Sequence, residues 1–260
     1  MFTTAEREAI RAALVDAARH DPAVVGAALV GSAARDAEDE WSDIDLALQL
    51  AHGADEPAVV REWTDVVGGI SPVADTVDLV SGGVRYRVFL LESSLQVDLS
   101  FWPFDRFRST GEPFRLLFGT PQEPAEAGRP DLPRTIETAW LLALHARSAI
   151  ARGRLWQATT MLDQLRDEVV TLMCVRSDLP FWHGRGVDSL SSGDRSKLER
   201  GRAARVSRTE LDASRCALVR LLFDEIEQRD APWAARLAPA LDELSTPLAT
   251  APPPAHRRDR

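Results

Sequence analysis

Two-residue periodicity occupies only one part of the chain. Runs in which apolar residues alternate with a spacing of two are confined to residues 24–102, whereas every well-patterned stretch beyond residue 133 has them three and four apart. A sheet-bearing part therefore precedes a purely helical one, and the expected fold class is α+β. Between them, Pro121 to Pro133 concentrates Pro, Gly, Glu and Ala with few large apolar residues, which marks a linker. With 260 residues there is chain enough for two cores. The expected division is an N-terminal mixed-sheet domain over 1–120, a linker over 121–133, a C-terminal helical bundle over 134–246 and a disordered tail over 247–260 that includes Pro252, Pro253 and Pro254.

Finer punctuation follows the same logic. Residues 4–19 place Ile10, Ala13, Leu14, Ala17 and Ala18 on one helical stripe, closed by Asp21 and Pro22. Val24 to Val30 reads as a strand, Gly31 and Ser32 as a turn, and Ala33, Ala34 and Arg35 as the opening of a helix. Asp43 to Leu50 alternates Ile44, Leu46, Leu48 and Leu50 with Asp43, Asp45, Ala47 and Gln49, a strand with one wet or functional face. A helix over Glu56–Val67 should close at Gly68 and Gly69, followed by a short strand over Thr76–Val80. Val84–Leu91 and Leu95–Phe101 form a hairpin. Beyond the linker, helices are expected at about 133–152, 154–177, 207–229 and 232–244. Trp140, Trp156 and Phe223 read as core residues, and 183–206 has no periodicity.

Composition closes off several classes of function. At 45% hydrophobic, 27% charged and a net charge of −9, the chain presents no basic field, so nonspecific nucleic-acid binding is not expected. Cys174 and Cys216 lie in helix-like apolar patterns and read as small buried hydrophobes in a reducing cytoplasm. The first residues lack the apolar core of a signal peptide, and no apolar run is long enough to span a membrane. Lys197 is the only lysine among 31 basic residues. A Walker-type lysine is thereby excluded, and any phosphate must be met by arginine or backbone.

Chemistry is concentrated in residues 29–48. A glycine after a strand lets backbone N–H groups approach a phosphate, and Ser32 adds a hydroxyl. Asp43 and Asp45, one residue apart on a strand, point to the same face, where two carboxylates can share hard divalent cations, Mg²⁺ by default. Asp98 sits in an otherwise apolar strand, where a carboxylate needs a partner or a metal to offset its desolvation. A Gly-Ser turn or an Asp-x-Asp pair alone is common. Their order, with a third acid later, is not.

Gly31-Ser32, ten intervening residues, Asp43-Ile44-Asp45 and a later strand bearing Asp98 resemble the DNA polymerase β-like nucleotidyltransferase superfamily, in particular the aminoglycoside and lincosamide nucleotidyltransferases. The resemblance implies that Gly31 and Ser32 bind nucleotide phosphates and that Asp43, Asp45 and Asp98 are catalytic acids holding Mg²⁺, two ions in the usual arrangement. It further implies transfer of a nucleoside monophosphate, AMP from ATP foremost, from an NTP to a hydroxyl of a small acceptor, an aminoglycoside-type cation being the leading guess. Arg35 is a candidate phosphate contact. Arg85 and Arg87 alternate onto one face of a hairpin strand and join the nucleotide-binding candidates if that face borders Asp98. Asp163, Arg166 and Asp167 share one helical face, and Asp167 is the candidate general base, against an ordinary ion-pair lattice. The five histidines show no metal-ligand spacing; His183 alone lies in an expected loop beside aromatics. Two other readings stand beside this one: a nucleotidyltransferase of the toxin–antitoxin type acting on protein or RNA, and a nucleotide-binding regulator without turnover. A haloacid-dehalogenase-type phosphatase is disfavoured because its acids would follow a strand, and here they open one.

Overall fold

The computed structural model describes residues 2–126 and 128–249. The chain falls into two compact units, the first ending at Gly128 and the second beginning at Arg129. The architecture is α+β: a mixed sheet in the N-terminal unit and helices in the C-terminal one.

In the first unit, α1 (Thr4–His20) is opened by a capping box, with Glu6 N–H donating to Thr3 Oγ1 at 3.2 Å and Thr3 N–H donating to Glu6 Oε2 at 2.7 Å. It leads into β1 (Val24–Val30), β2 (Ile44–Leu50), α2 (Glu56–Ile70), β3 (Val73–Ser81), β4 (Val84–Leu91), β5 (Gln96–Trp102) and β6 (Phe114–Phe118). Among the described residues these strands form one six-stranded sheet in the order β3-β4-β5-β2-β1-β6. β2 and β5 pair in parallel, and the other neighbours are antiparallel.

The two faces of the sheet differ. Ile44, Leu46 and Leu48 of β2, with Val97, Leu99 and Phe101 of β5, pack against Leu14 of α1 and Val60 and Trp63 of α2 to form the main core. The opposite face carries Asp45, Ala47 and Gln49 and only a small apolar cluster of Ala28, Ala47, Val84, Trp102 and Phe107. That face is not wet along β2, as alternation suggested. Ala47 is 0% and Gln49 2% exposed, the amide of Gln49 donating to the carbonyl of Phe104 at 2.9 Å. Only the end of β2 that bears Asp45 is open.

In the second unit, α3 (Leu132–Ala151), α4 (Leu155–Arg176), α5 (Ser192–Arg200), α6 (Arg208–Glu227) and α7 (Ala231–Ser245) surround one apolar core. Glu225, buried on α6, accepts hydrogen bonds from Arg176 Nε of α4 at 3.1 Å and from Arg229 Nη1 at 2.7 Å, so a carboxylate out of water is paired twice.

Several elements differ from the sequence expectation for identifiable reasons. After Gly31 and Ser32 there is one 3-10 turn, Ala33–Arg35, and no α-helix. Asp36 adopts a left-handed backbone (φ 54°) and its carboxylate pairs with Arg115 of β6 at 2.5 Å, which ends the turn. α2 runs through Gly68 and Gly69 and stops at Ser71, before Pro72. β6 and α5 were not expected. The first is a short edge strand, and the second is a polar helix that buries only Leu198, too little for a period to show. Trp156 is 76% exposed, whereas Trp140 and Phe223 do pack on the core. Cys174 and Cys216 are buried and free. The expected tail from 247 lies outside the described residues beyond 249. Its first part is tied down, since Leu248 N–H donates to Asp212 Oδ2 at 2.7 Å. No helix among the described residues is long and apolar enough to cross a membrane.

Candidate active site

Two of the three sequence-predicted acids are set by the sheet. In the parallel register Asp45 lies beside Asp98, so both side chains leave the same face. Asp43 falls one residue before β2 begins and shares that side. One carboxylate oxygen from each of Asp43, Asp45 and Asp98 lies within 4.8 Å of the other two, and all three residues are half-buried. An all-oxygen set of this size fits a hard divalent cation.

Electrostatics in the absence of a cation runs against that clustering. Burial pushes the Asp98 carboxyl up to about 6; the Gln96 amide opposes this, and the neighbouring charge of Asp43 adds to it. Gln96 Nε2 stands 3.2 Å from both oxygens of Asp98, which fixes the carboxylate plane. Sequence reasoning missed Gln96, although its place two residues before Asp98 puts it on the same face of a strand.

The Gly-Ser turn abuts the acids. Gly31 has a φ of +62°, and a Cβ built on it would stand 2.2 Å from Oδ2 of Asp45. Both the backbone conformation and the space therefore favour glycine, since any side chain would press on the Asp45 carboxylate. Ser32 is half-buried next to it and Arg35 is exposed one turn on.

Arg85 and Arg87 do not belong to this site. Val88 is the β4 residue opposite Asp98, so Arg85 and Arg87 leave the other face, toward α2. There Arg87 donates to Thr64 Oγ1 at 2.7 Å and to both oxygens of Asp78 at 2.6 and 2.7 Å, and Arg85 pairs with Glu56 at 2.5 Å. Hydrogen bonds from Arg87 hold the Asp78 carboxyl below the usual range, with Arg85 contributing. The expectation that these arginines meet the triphosphate is corrected. They fasten β3 and β4 to α2.

Asp167 lies on α4 in the second unit and lines a cavity of about 1010 Å³ together with Glu168, Phe181, Trp182, His183 and Glu199. Arg166 on the same wall is held by Asp163 at 2.7 Å. Burial raises the Asp167 and Glu168 carboxyls above their ordinary values. His183 adopts a left-handed backbone (φ 52°) in the loop that forms one rim.

No family model matches the chain. No curated protein matches it either. Among solved structures the chain is similar to an aminoglycoside 6-adenyltransferase from Bacillus subtilis, at 12% identity and a TM-score of 0.38, over 92% of this chain and 98% of that one. It is also similar to a nucleotidyltransferase-like protein from Exiguobacterium sibiricum, at 13% identity and a TM-score of 0.36, over 92% of this chain and 89% of that one. A third match is the polymerase core of TRAMP, an RNA surveillance complex, at 14% identity and a TM-score of 0.31, over 87% of this chain and 57% of that one.

Proposed function

We propose that the protein is a metal-dependent nucleotidyltransferase that moves a nucleoside monophosphate, AMP from ATP foremost, onto a hydroxyl of a small cationic acceptor. The observation that carries this reading is the trio Asp43, Asp45 and Asp98 converging within 4.8 Å beside the glycine turn at Gly31. Asp45 and Asp98, fixed by paired strands, and Asp43 would hold one or two divalent ions, magnesium by default. Bound there, such ions supply Lewis-acid activation of the attacking oxygen and neutralise the leaving pyrophosphate.

The chain's own residues have the remaining tasks. Gly31 offers backbone N–H groups and Ser32 a hydroxyl to the phosphates, and Arg35 offers a guanidinium. In the transfer, a bond forms between the acceptor oxygen and the α-phosphorus while the bond to the β-phosphate oxygen breaks. The acceptor proton is assigned to Asp167, whose raised carboxyl suits proton capture better than an ordinary aspartate. A cationic acceptor is supported by the rings of Phe181 and Trp182, which line the cavity of the second unit together with the acids Asp167, Glu168 and Glu199 and, in equal number, Arg166, Arg195 and Arg202.

The test is pyrophosphate release by the full chain with Mg²⁺, each of the four common NTPs and a panel of aminoglycosides, lincosamides and uncharged sugars. Release that needs both a divalent ion and a cationic acceptor is expected. Tight NTP binding with no release for any acceptor would overturn the reading in favour of a regulator.

A further inference from the structure

The sheet positions Asp45 and Asp98 but not Asp43, which stands one residue outside β2 at the end of the loop from Gly31. What holds that loop comes from α1. Arg7 is 1% exposed, and its Nη1 donates to the carbonyl oxygen of Asp39 and, at 3.3 Å, to that of Ser42. The Ser42 carbonyl belongs to the peptide that joins Ser42 to Asp43. Arg7 Nε faces Glu38 Oε1 at 3.4 Å, both atoms buried and without a hydrogen bond, and Glu38 Oε2 is held by Arg11. Within the loop Asp39 caps the turn, its Oδ1 accepting from Trp41 N–H at 2.9 Å and from the Ser42 hydroxyl at 3.0 Å.

A buried guanidinium aimed at two main-chain carbonyls has lost its hydration and pulls on loop backbone, with no core element among its partners. Arg7 occupies the buried stripe of α1 with Leu14 and Ala18, where an apolar residue would pack without that cost. We infer that Arg7, oriented by Glu38, is a positioning residue that sets the Ser42–Asp43 peptide and so brings the third carboxylate to the metal trio. The inference rests on the trio holding a divalent cation, as proposed above. It assigns the opening helix a part in the chemistry through a contact with neither metal nor substrate.

The test uses Mn²⁺ as the probe, titrated against the full-length chain and followed by the electron paramagnetic resonance of the free ion. Glu38→Gln removes the orienting charge at a half-buried position, and Arg7→Lys replaces the two-armed donor with a point charge. Each is expected to weaken Mn²⁺ binding by about ten- to a hundredfold, the usual effect of losing an outer-shell support. Deuterium uptake should rise over residues 36–43 and stay unchanged over 96–102. A merely structural role would loosen both segments together. Wild-type Mn²⁺ affinity in a folded Glu38→Gln chain overturns the inference, and so does equal loosening of both segments. If Arg7→Lys does not fold, Glu38→Gln decides alone. A wild-type chain that binds no Mn²⁺ overturns the metal reading of the trio itself, and that result is distinguishable because it needs no variant.

Discussion

Gly31 and Asp45 meet at a distance that leaves no room for a side chain: a Cβ on Gly31 would stand 2.2 Å from the Asp45 carboxylate, on a backbone with φ of +62°. Gly31→Ala therefore adds left-handed strain of about 1–2 kcal/mol and displaces a candidate metal ligand at once. The expected outcome is a lower thermal midpoint together with loss of Mn²⁺ binding. An alanine variant that binds Mn²⁺ like the wild type would show that Asp45 is not a ligand in its present position.

Asp98→Asn should separate stability from chemistry. Pyrophosphate release is expected to fall by about 10²–10³-fold, as when one charge-stabilising group is removed from a reacting centre. The metal-free variant should melt no lower than the wild type at pH 8, because an amide has no charge to desolvate beside Asp43. A marked loss of stability instead would mean that the carboxylate is a structural support.

The Asp98 carboxyl, raised to about 6, gives two pH effects of defined sign. Without metal, the native chain binds more protons than the unfolded one between about 4, the ordinary carboxylate value, and about 6. This group's contribution to stability is therefore complete below that window and lost as pH rises through it. Metal binding has the opposite slope, since the ion displaces the proton. Mn²⁺ affinity should fall as pH drops below about 6, with proton release on binding visible by calorimetry in buffers of different ionisation heat.

Arg87→Gln is expected to leave NTP and Mn²⁺ affinity unchanged. It removes part-buried bonds to Asp78 and Thr64 and should cost about 1–3 kcal/mol, measured by chemical denaturation. Weakened nucleotide binding would restore the arginine to the phosphate site.

Asp167→Asn and Glu168→Gln divide the tasks proposed for the second unit. Loss of the base should lower kcat by about 10²–10⁴-fold, whereas Glu168→Gln should raise KM for cationic acceptors with kcat nearly intact. The reverse pattern would exchange their roles.

Most of the fold was legible where a single period governed a whole element. β1, β4 and the four long helices lie within a few residues of their expected ranges because each buries a face wide enough to leave a pattern. β6 and α5 bury too little to leave one. The three acids were legible as residue types in order, and their convergence follows from the β2–β5 register, which no local pattern encodes. Arg85 and Arg87 show the limit. Alternation places two residues on one face but does not say which face, and only the pairing of Val88 with Asp98 turns them away. Arg7 left a faint signal, a charge on an otherwise apolar stripe.

The parallel pairing of β2 with β5 also sets when the site can exist during folding. Hairpins β3–β4 and β4–β5 join neighbours in the chain and can close early, but Asp45 and Asp98 come from strands separated by α2, β3 and β4. The candidate ligand set is thus assembled by a nonlocal contact, exceeded in this sheet only by the β1–β6 pairing. A cation that binds the trio would select only molecules in which that contact has formed, and its arrival during refolding would time the closing of the sheet.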